Sequence, residues 1–343
     1  MKKLIIIKTQ VEGLLFSFLD SEGYNSMIKC TKVLFAQRRM KMEISLKHSD
    51  FLGSFDFIWT KSLDEYDKNK LNLFMLKINS NEFDYDLLVK MLIDPLIDYS
   101  ISRQVKEKYK NKPGTLSRTA REKFVEYTRN NGELGELLLF CFLETHLHAP
   151  KILTKLELKT STSHYVNGAD GVHFLELPNG NYQLIFGESK TYKKIGRAIG
   201  DALNSIYSFK NGINDQGNQK SGIQYEKSLI SDNLFKETFS EEEREFLESL
   251  IYPTPTRSFD VDDAFGIFIG FQIEVSEEEK GLPTADFRKL IRARVDDEVS
   301  KYLTKIQSKI IEYKLQGHNF YIYVLPFTDI NSKRKKIMEA ITK

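Results

Sequence analysis

Acidic and basic side chains stand where the sequence predicts that two consecutive strands begin and end. Asp170 lies between small residues at the start of one strand, and Glu188-Ser189-Lys190 closes the next. Because side chains two apart in a strand point the same way, Glu188 and Lys190 share one face of the sheet. Carboxylates placed in this way can bind Mg²⁺, and a lysine can orient water or stabilise a phosphoryl transition state.

A hairpin turn is predicted to bring these two strands together. The segment Pro178-Asn179-Gly180-Asn181 contains Asn-Gly, a strong hairpin signal, so the start of one strand lies opposite the end of the other. Two carboxylates that the hairpin brings close together repel each other unless a cation lies between them. Taken singly, Asp170 is more typical of an Asx-turn, and Glu188 with Lys190 is more typical of an ordinary ion pair at a strand end.

A third acid is predicted on the helix that precedes these strands. The segment Glu133 to His146 is apolar on nearly every face, and an acid there is costly unless it is paired or bound to a metal. The angular positions of Glu133 and Glu136 around the helix axis do not decide which of the two is the third acid. Favourable charge placement in the first helical turn explains Glu133 better than Glu136.

The order of predicted elements indicates a mixed α/β fold. A compact α+β region is expected over residues 1–105, and a second domain over residues 106–343 contains a helix, a three-strand meander, a helix and a strand. The predicted strands are Leu4–Ile7, Phe55–Trp59, Leu73–Ile78, Ile152–Leu158, Gly171–Leu177, Tyr182–Lys190, Ala264–Val275 and Phe320–Pro326, the last element. The predicted helices include Tyr85–Tyr99, Glu133–His146, Lys193–Phe209 and Thr284–Leu315.

Composition excludes whole-chain disorder and a membrane span. The chain has 343 residues, of which 41% are hydrophobic and 29% charged, and its net charge is only +2. The apolar run Leu137 to Leu143 is far shorter than the roughly 20 residues that a spanning helix needs. Nucleic-acid affinity would therefore depend on local clusters such as the basic segment Arg103 to Arg129. Cys30 and Cys141 are expected to be free thiols in a reducing cytoplasm.

The glutamate-bearing helix, the Asp at the head of the second strand and Glu-x-Lys at the end of the third resemble the PD-(D/E)xK nuclease superfamily. The resemblance implies a restriction-endonuclease-like core in which Asp170, Glu188 and the Ser189 carbonyl bind Mg²⁺, for which Mn²⁺ can substitute. It implies that Lys190 positions the attacking water and that Glu136 is an accessory metal ligand or base. The spacing Gly132-x-x-x-Glu136 favours Glu136 over Glu133, and Ala169 replaces the superfamily's usual proline.

A longer set of motifs resembles the HamA family, the nuclease subunits of the Hachiman anti-phage system, and the similar AbpA defence proteins. These motifs are Gly132–Leu138, Ala149–Lys151, Leu158–His164, Gly168–His173 and Gly187–Tyr192. The family implies a metal-dependent DNA nuclease that works with a superfamily 2 helicase, HamB, as a hetero-complex. Residues 1–100 carry no resemblance and, with the acidic segment near Glu241, are candidates for partner binding or regulation.

Basic residues around the motif are candidate DNA contacts, although each alone is more typical of a solvated surface charge. They are Lys159, His164, Lys193, Lys194 and Arg197. Two other functions stay open at the level of sequence. The chain could be a catalytically silent nuclease-like module that binds DNA or a helicase, or it could be a site-specific restriction endonuclease.

Overall fold

The computed structural model describes residues 42–124, 132–158, 168–213, 217–219, 222–255 and 257–343. Residues Glu43–Lys343 form one compact unit. Lys159, His164, Cys30 and the predicted strand Leu4–Ile7 lie outside the described residues. Cys141 is a buried free thiol, as predicted.

Within the described residues, a seven-stranded mixed sheet has the strand order β1-β2-β9-β8-β7-β6-β5, and β3 pairs with β4 in a separate hairpin. The mixed α/β prediction is therefore confirmed. The strands are β1 (Phe55–Ser62), β2 (Lys70–Leu76), β3 (Ile78–Asn79), β4 (Glu82–Phe83), β5 (Lys151–Thr154), β6 (Gly171–Glu176), β7 (Tyr182–Thr191), β8 (Val261–Gln272) and β9 (Phe320–Phe327). Strands β2, β9, β8 and β7 run parallel to one another. Strands β5, β6 and β7 form an antiparallel meander.

Helices cover both faces of the sheet. They are α1 (Tyr85–Ser100), α2 (Arg103–Lys108), α3 (Pro113–Glu122), α4 (Glu133–Thr145), α5 (Lys155–Leu158), α6 (Ile195–Asn211), α7 (Ile223–Asn233), α8 (Glu241–Ile251), α9 (Glu277–Lys280), α10 (Thr284–Ser300), α11 (Leu303–Glu312) and α12 (Ile330–Thr342). A Cβ on Gly187 would meet Leu139 of α4 at 3.1 Å, whereas Phe186 contacts Phe209 of α6. Because side chains alternate along β7, α4 and α6 lie on opposite faces.

The predicted hairpin between β6 and β7 is confirmed. Glu176 pairs with Tyr182, and the Asn179 side chain accepts the Asn181 N–H at 3.1 Å inside the turn. Gly180 adopts φ 83°, a left-handed conformation that glycine adopts without a Cβ clash. The turn fixes the register that brings Asp170 to the end of β7.

The predicted strand Ile152–Leu158 is wrong in its second half. Strand β5 ends at Thr154, and the chain turns at once into α5. The Glu157 side chain accepts the Thr154 N–H at 2.9 Å, and the Thr154 hydroxyl accepts the Glu157 N–H at 3.3 Å. Reciprocal bonds of this kind form a capping box, which begins a helix and places Lys155 in its first turn.

Near the C-terminus, the predicted elements need three corrections. The predicted helix Thr284–Leu315 is two helices, α10 and α11, and a Cβ on Gly196 of α6 would lie 2.8 Å from the Tyr302 ring between them. Strand β8 begins earlier than predicted, at Val261. A further helix, α12, follows β9 and buries Ile330, Ile337, Met338 and Ile341.

Strands from both sides of the boundary predicted near residue 105 share one sheet. Lys70 to Leu73 of β2 pair in parallel with Tyr321 to Val324 of β9. Every residue of β9 is buried, which places this strand in the core of the sheet. Division of the chain into a regulatory region and a nuclease domain stays a prediction. Among the described residues, no helix combines the length and the apolar composition needed to cross a membrane.

Candidate active site

Asp170 is fixed against the end of β7 by its backbone and its side chain. Its N–H donates to the Gly187 carbonyl at 2.8 Å, and its Oδ2 accepts the Ser189 N–H at 2.8 Å. The residue is only 8% exposed. The structure thus brings Asp170 to the Glu188-Ser189-Lys190 segment, which the hairpin register predicts.

Glu188 and Lys190 form an ion pair on one face of β7. Lys190 Nζ lies 2.5 Å from Glu188 Oε1, and both side chains are largely buried. Burial, followed by the charge of Asp170, raises the pKa of Glu188 although Lys190 opposes the shift. Burial alone would lower the pKa of Lys190, but the Glu188 carboxylate reverses this and raises it. Lys190 is therefore held as an ammonium group beside the two acids.

Glu136 approaches Asp170 from helix α4. The Tyr99 hydroxyl donates to Glu136 Oε2 at 2.9 Å. Burial and then the Asp170 charge raise the pKa of Glu136 to about 7, against the effect of Lys155. A Cβ on Gly135 would lie 3.0 Å from the Thr191 hydroxyl, so this glycine lets α4 approach β7 closely. Glu136 therefore combines a hydrogen bond from Tyr99 with the nearby charge of Asp170.

Lys155 is a cation of the site that the sequence analysis missed. Its Nζ lies 3.3 Å from Asp170 Oδ1, and its backbone N–H donates to the Asp170 carbonyl at 3.1 Å. The ammonium group also lowers the pKa of Glu136 and Glu188. The Thr-x-x-Glu signal of a capping box at Thr154 could have placed Lys155 in a helical turn beside the meander.

Glu226 of α7 is a further acid that the sequence analysis missed. It is buried, and a Cβ on Gly168 would lie 2.1 Å from its Oε2. Burial raises the pKa of Glu226 to about 7, although a hydrogen bond from the Ala169 backbone lowers it. Glu226 therefore holds the segment that carries Asp170. Its position on the apolar face of α7, in line with Ile223 and Ile230, was the available signal.

In the structure, acidic side chains of the candidate site form ion pairs with lysines. Among the residues that are described, no group of three or more His, Cys, Asp or Glu side chains is arranged to hold a metal ion. Asp170 and Glu188 are each paired with a lysine, and Glu136 belongs to the helix on the opposite face of β7 from Glu188. The charges of Asp170 and Lys155 act on both Glu136 and Glu188: Asp170 raises the pKa of each glutamate and Lys155 lowers it. Metal binding stays a prediction.

The predicted DNA contacts that the structure describes lie just after β7. Lys193 and Lys194 are exposed at the start of α6. Arg197 stacks on the Tyr192 ring at 4.9 Å and forms an ion pair with Asp201 at 3.6 Å. Lys193, Lys194 and Arg197 therefore lie just beyond the end of β7 that carries Glu188 and Lys190.

A comparison with protein families matches this chain over residues 54–341, which includes every described element from β1 to α12 except the last residue of α12. A search among curated proteins finds no match. Because the family match extends over most of the chain, the chain belongs to the HamA family, a component of the Hachiman anti-phage defence system.

Proposed function

We propose that this protein is a metal-dependent DNA nuclease of the PD-(D/E)xK type, which acts in the cytoplasm and is controlled by a superfamily 2 helicase. The observation that supports the proposal most is the proximity of Asp170, just before β6, to Glu188 and Lys190 at the end of β7. Membership of the HamA family supports the same conclusion. So does the order of elements: α4, the β5–β7 meander, α6 and β8.

The donor groups are of the chemical type that a hard divalent cation prefers. Asp170, Glu188 and the Ser189 carbonyl would hold Mg²⁺ or Mn²⁺, with Glu136 as the accessory acid, and the set contains only oxygen ligands. Burial and then the charge of Asp170 raise the pKa of Glu188, and a bound cation would offset both effects. The bound ion would supply an activated water and neutralise charge on the phosphodiester.

The protein's own groups would then act on the substrate. The Lys190 ammonium would hold the water or the phosphoryl oxygen beside the acids, because Glu188 keeps it charged and in place. Lys193, Lys194 and Arg197 would contact the neighbouring phosphates. These contacts are not sequence-specific, so general degradation is favoured over cleavage at one site.

The test is cleavage of plasmid DNA by the purified full chain, free of any partner, with Mg²⁺ or Mn²⁺. We expect Glu188→Gln and Lys190→Met each to lower the rate by roughly 100-fold or more, since each removes a group that acts on the reacting phosphate. Lys227→Met is the matched control, because the ion pair of Lys227 is with Asp263 of β8. Circular dichroism melting checks that each variant folds.

The same digest distinguishes the alternatives. Equal DNA loss by the wild type and both variants, or cleavage that persists in EDTA, would reject catalysis at this site. Metal-independent DNA binding without cleavage would indicate a silent module. Discrete fragments on a gel would indicate a site-specific restriction endonuclease.

A further inference from the structure

The acids of the candidate active site already face a cation that belongs to the protein. Lys155 Nζ lies 3.3 Å from Asp170 Oδ1, inside ion-pair distance. Its charge also acts on Glu136, Glu188 and Glu226. A single ammonium group therefore acts on the carboxylate of Asp170, just before β6, and on carboxylates of three separate elements, α4, β7 and α7.

The fold positions this lysine independently of its charge. The capping box of Thr154 and Glu157 starts α5 at Lys155, and the Lys155 N–H binds the Asp170 carbonyl at 3.1 Å. The side chain is only 14% exposed. The ammonium group is thus held at the carboxylates by backbone geometry and has little freedom to leave for solvent.

A buried carboxylate without a countercharge is costly, and Glu226 shows that this cluster carries more acid than its hydrogen bonds satisfy. Glu226 is 3% exposed, and its Oε2 has no hydrogen-bond partner among the described residues. A single positive charge offsets only part of the charge on these acids. A divalent cation offsets more of it, which gives an exchange between the two cations a driving force.

We propose that Lys155 is a tethered counter-ion for the metal-free site, and that a divalent cation binds only by displacing its ammonium group from Asp170. This inference rests on the proposed function, because it assumes that Asp170 is a metal ligand. Its consequence is a site of weakened metal affinity. The protein folds with the charge of its acids partly offset by Lys155, and metal loading occurs only when the exchange is favoured.

The test is Mn²⁺ binding by the full chain without DNA, followed through the paramagnetic resonance of free Mn²⁺. Lys155→Met removes the competing charge and keeps an unbranched side chain, and we expect it to bind Mn²⁺ roughly tenfold more tightly, the effect of one partly buried ion pair. Lys155→Arg keeps the charge and should not tighten binding. Lys227→Met is the control, because Lys227 is also 14% exposed and pairs with Asp263 at 2.9 Å.

A second measurement uses the wild type alone. Acetic anhydride acylates free amines, and mass spectrometry gives the labelling rate of each lysine. We expect Mn²⁺ to increase the labelling of Lys155 several-fold and to leave Lys227 unchanged. Labelling of Lys155 that stays constant or falls as Mn²⁺ saturates the protein would overturn the proposal, whether or not the variants fold.

Asp170→Asn separates failure of this inference from failure of the proposed function. If Asp170→Asn abolishes Mn²⁺ binding while Lys155→Met binds Mn²⁺ no more tightly than the wild type, the site binds metal but Lys155 does not compete. If the wild type shows no binding that depends on Asp170, both the metal site and the exchange are rejected. Tighter binding by Lys155→Met, and by that variant alone, supports the exchange.

Discussion

At the scale of single residues, the protein contains buried charges, and one buried pair begins at Lys151 in the edge strand β5. Lys151 is almost fully buried and pairs with Glu157, the acid of the capping box. The Lys151 ammonium group also donates to the Asp98 carbonyl at 2.8 Å. A buried charge without its partner is poorly solvated. Loss of one partner is therefore strongly destabilising, even where the attraction within the pair adds little to the free energy of unfolding.

Glu157→Gln should therefore lower the free energy of unfolding by about 3–5 kcal/mol, because it removes the carboxylate that contacts the buried Lys151 ammonium group. Urea denaturation measures the change. The matched control is Glu122→Gln, which removes an exposed ion pair with Arg118 and should cost less than about 1 kcal/mol. Equal losses for both variants would contradict the assignment of Lys151 as a buried charge.

Glu237 beside this pair predicts a pH dependence of stability. Burial, then the charge of Glu157, raises its pKa to about 8, although Lys151 and Arg103 oppose the shift. Its Oε1 has no hydrogen-bond partner among the described residues. Because the folded-state pKa lies above the usual 4.5, the folded protein holds a proton that the unfolded chain releases between these two values.

The contribution of Glu237 is thus fully present below about pH 4.5 and is lost as the pH rises to about 8. Within this window one proton corresponds to about 1.4 kcal/mol per pH unit. We expect Glu237→Gln to make this part of the stability profile less steep, with the contributions of Glu136 and Glu226 retained, as measured by urea denaturation at intervals of pH. A Gln variant with the same slope as the wild type would show that Glu237 does not hold the proton.

At the scale of elements, close packing of α4 on β7 positions Glu136 and Ser189. A Cβ on Gly135 would lie 3.0 Å from the Thr191 hydroxyl and 3.2 Å from the Ser189 side chain. Gly135→Ala therefore requires either the Thr191 and Ser189 side chains or helix α4 itself to shift by a small distance. The substitution is therefore expected to change both the stability of the protein and the geometry of the site.

We expect Gly135→Ala to destabilise the protein by about 1–3 kcal/mol through overpacking and to lower DNA cleavage. Gly200→Ala in α6 is the control, since nothing lies within 4 Å of its added Cβ, and it should be neutral or stabilise by up to about 1 kcal/mol. Thermal melting of both variants measures the contrast. A stabilised Gly135→Ala protein would show that α4 can move without cost.

The elements also show how far a single sequence predicts structure. The meander and its Asn-Gly hairpin carry strong local signals, and β6, β7 and α4 form close to their predicted bounds. The second half of the predicted strand Ile152–Leu158 fails because a local capping box competes with the apolar pattern of that segment. Helix α12 is missed because its apolar residues are spaced among many charges.

At the scale of the whole molecule, the sheet joins the N-terminal strands to the candidate nuclease core. Strand β2 covers the edge of β9, whose residues are all buried. Tyr99, from the helix after these strands, donates to Glu136 at 2.9 Å. Residues before 105 thus contribute both to the core and to the candidate site.

A fragment of residues 106–343 should therefore lose cooperative folding, because it exposes the backbone groups and apolar side chains of β9 along an open edge. A chain that starts at Glu43 keeps the compact unit and is the comparison. Thermal melting and gel filtration report the outcome. A monomeric 106–343 fragment that melts at the temperature of the longer chain would favour two independent domains.

The sequence by itself predicted the candidate site and determined the local hairpin that frames it. The types and spacing of Asp170, Glu188 and Lys190, with a hairpin signal between them, predict which groups meet, because hairpin register is a local property. Only the tertiary structure decided which charges surround them. Tyr99, Lys155 and Glu226 reach the site from distant or misread segments, and which segments pack together depends on the burial of the whole sheet.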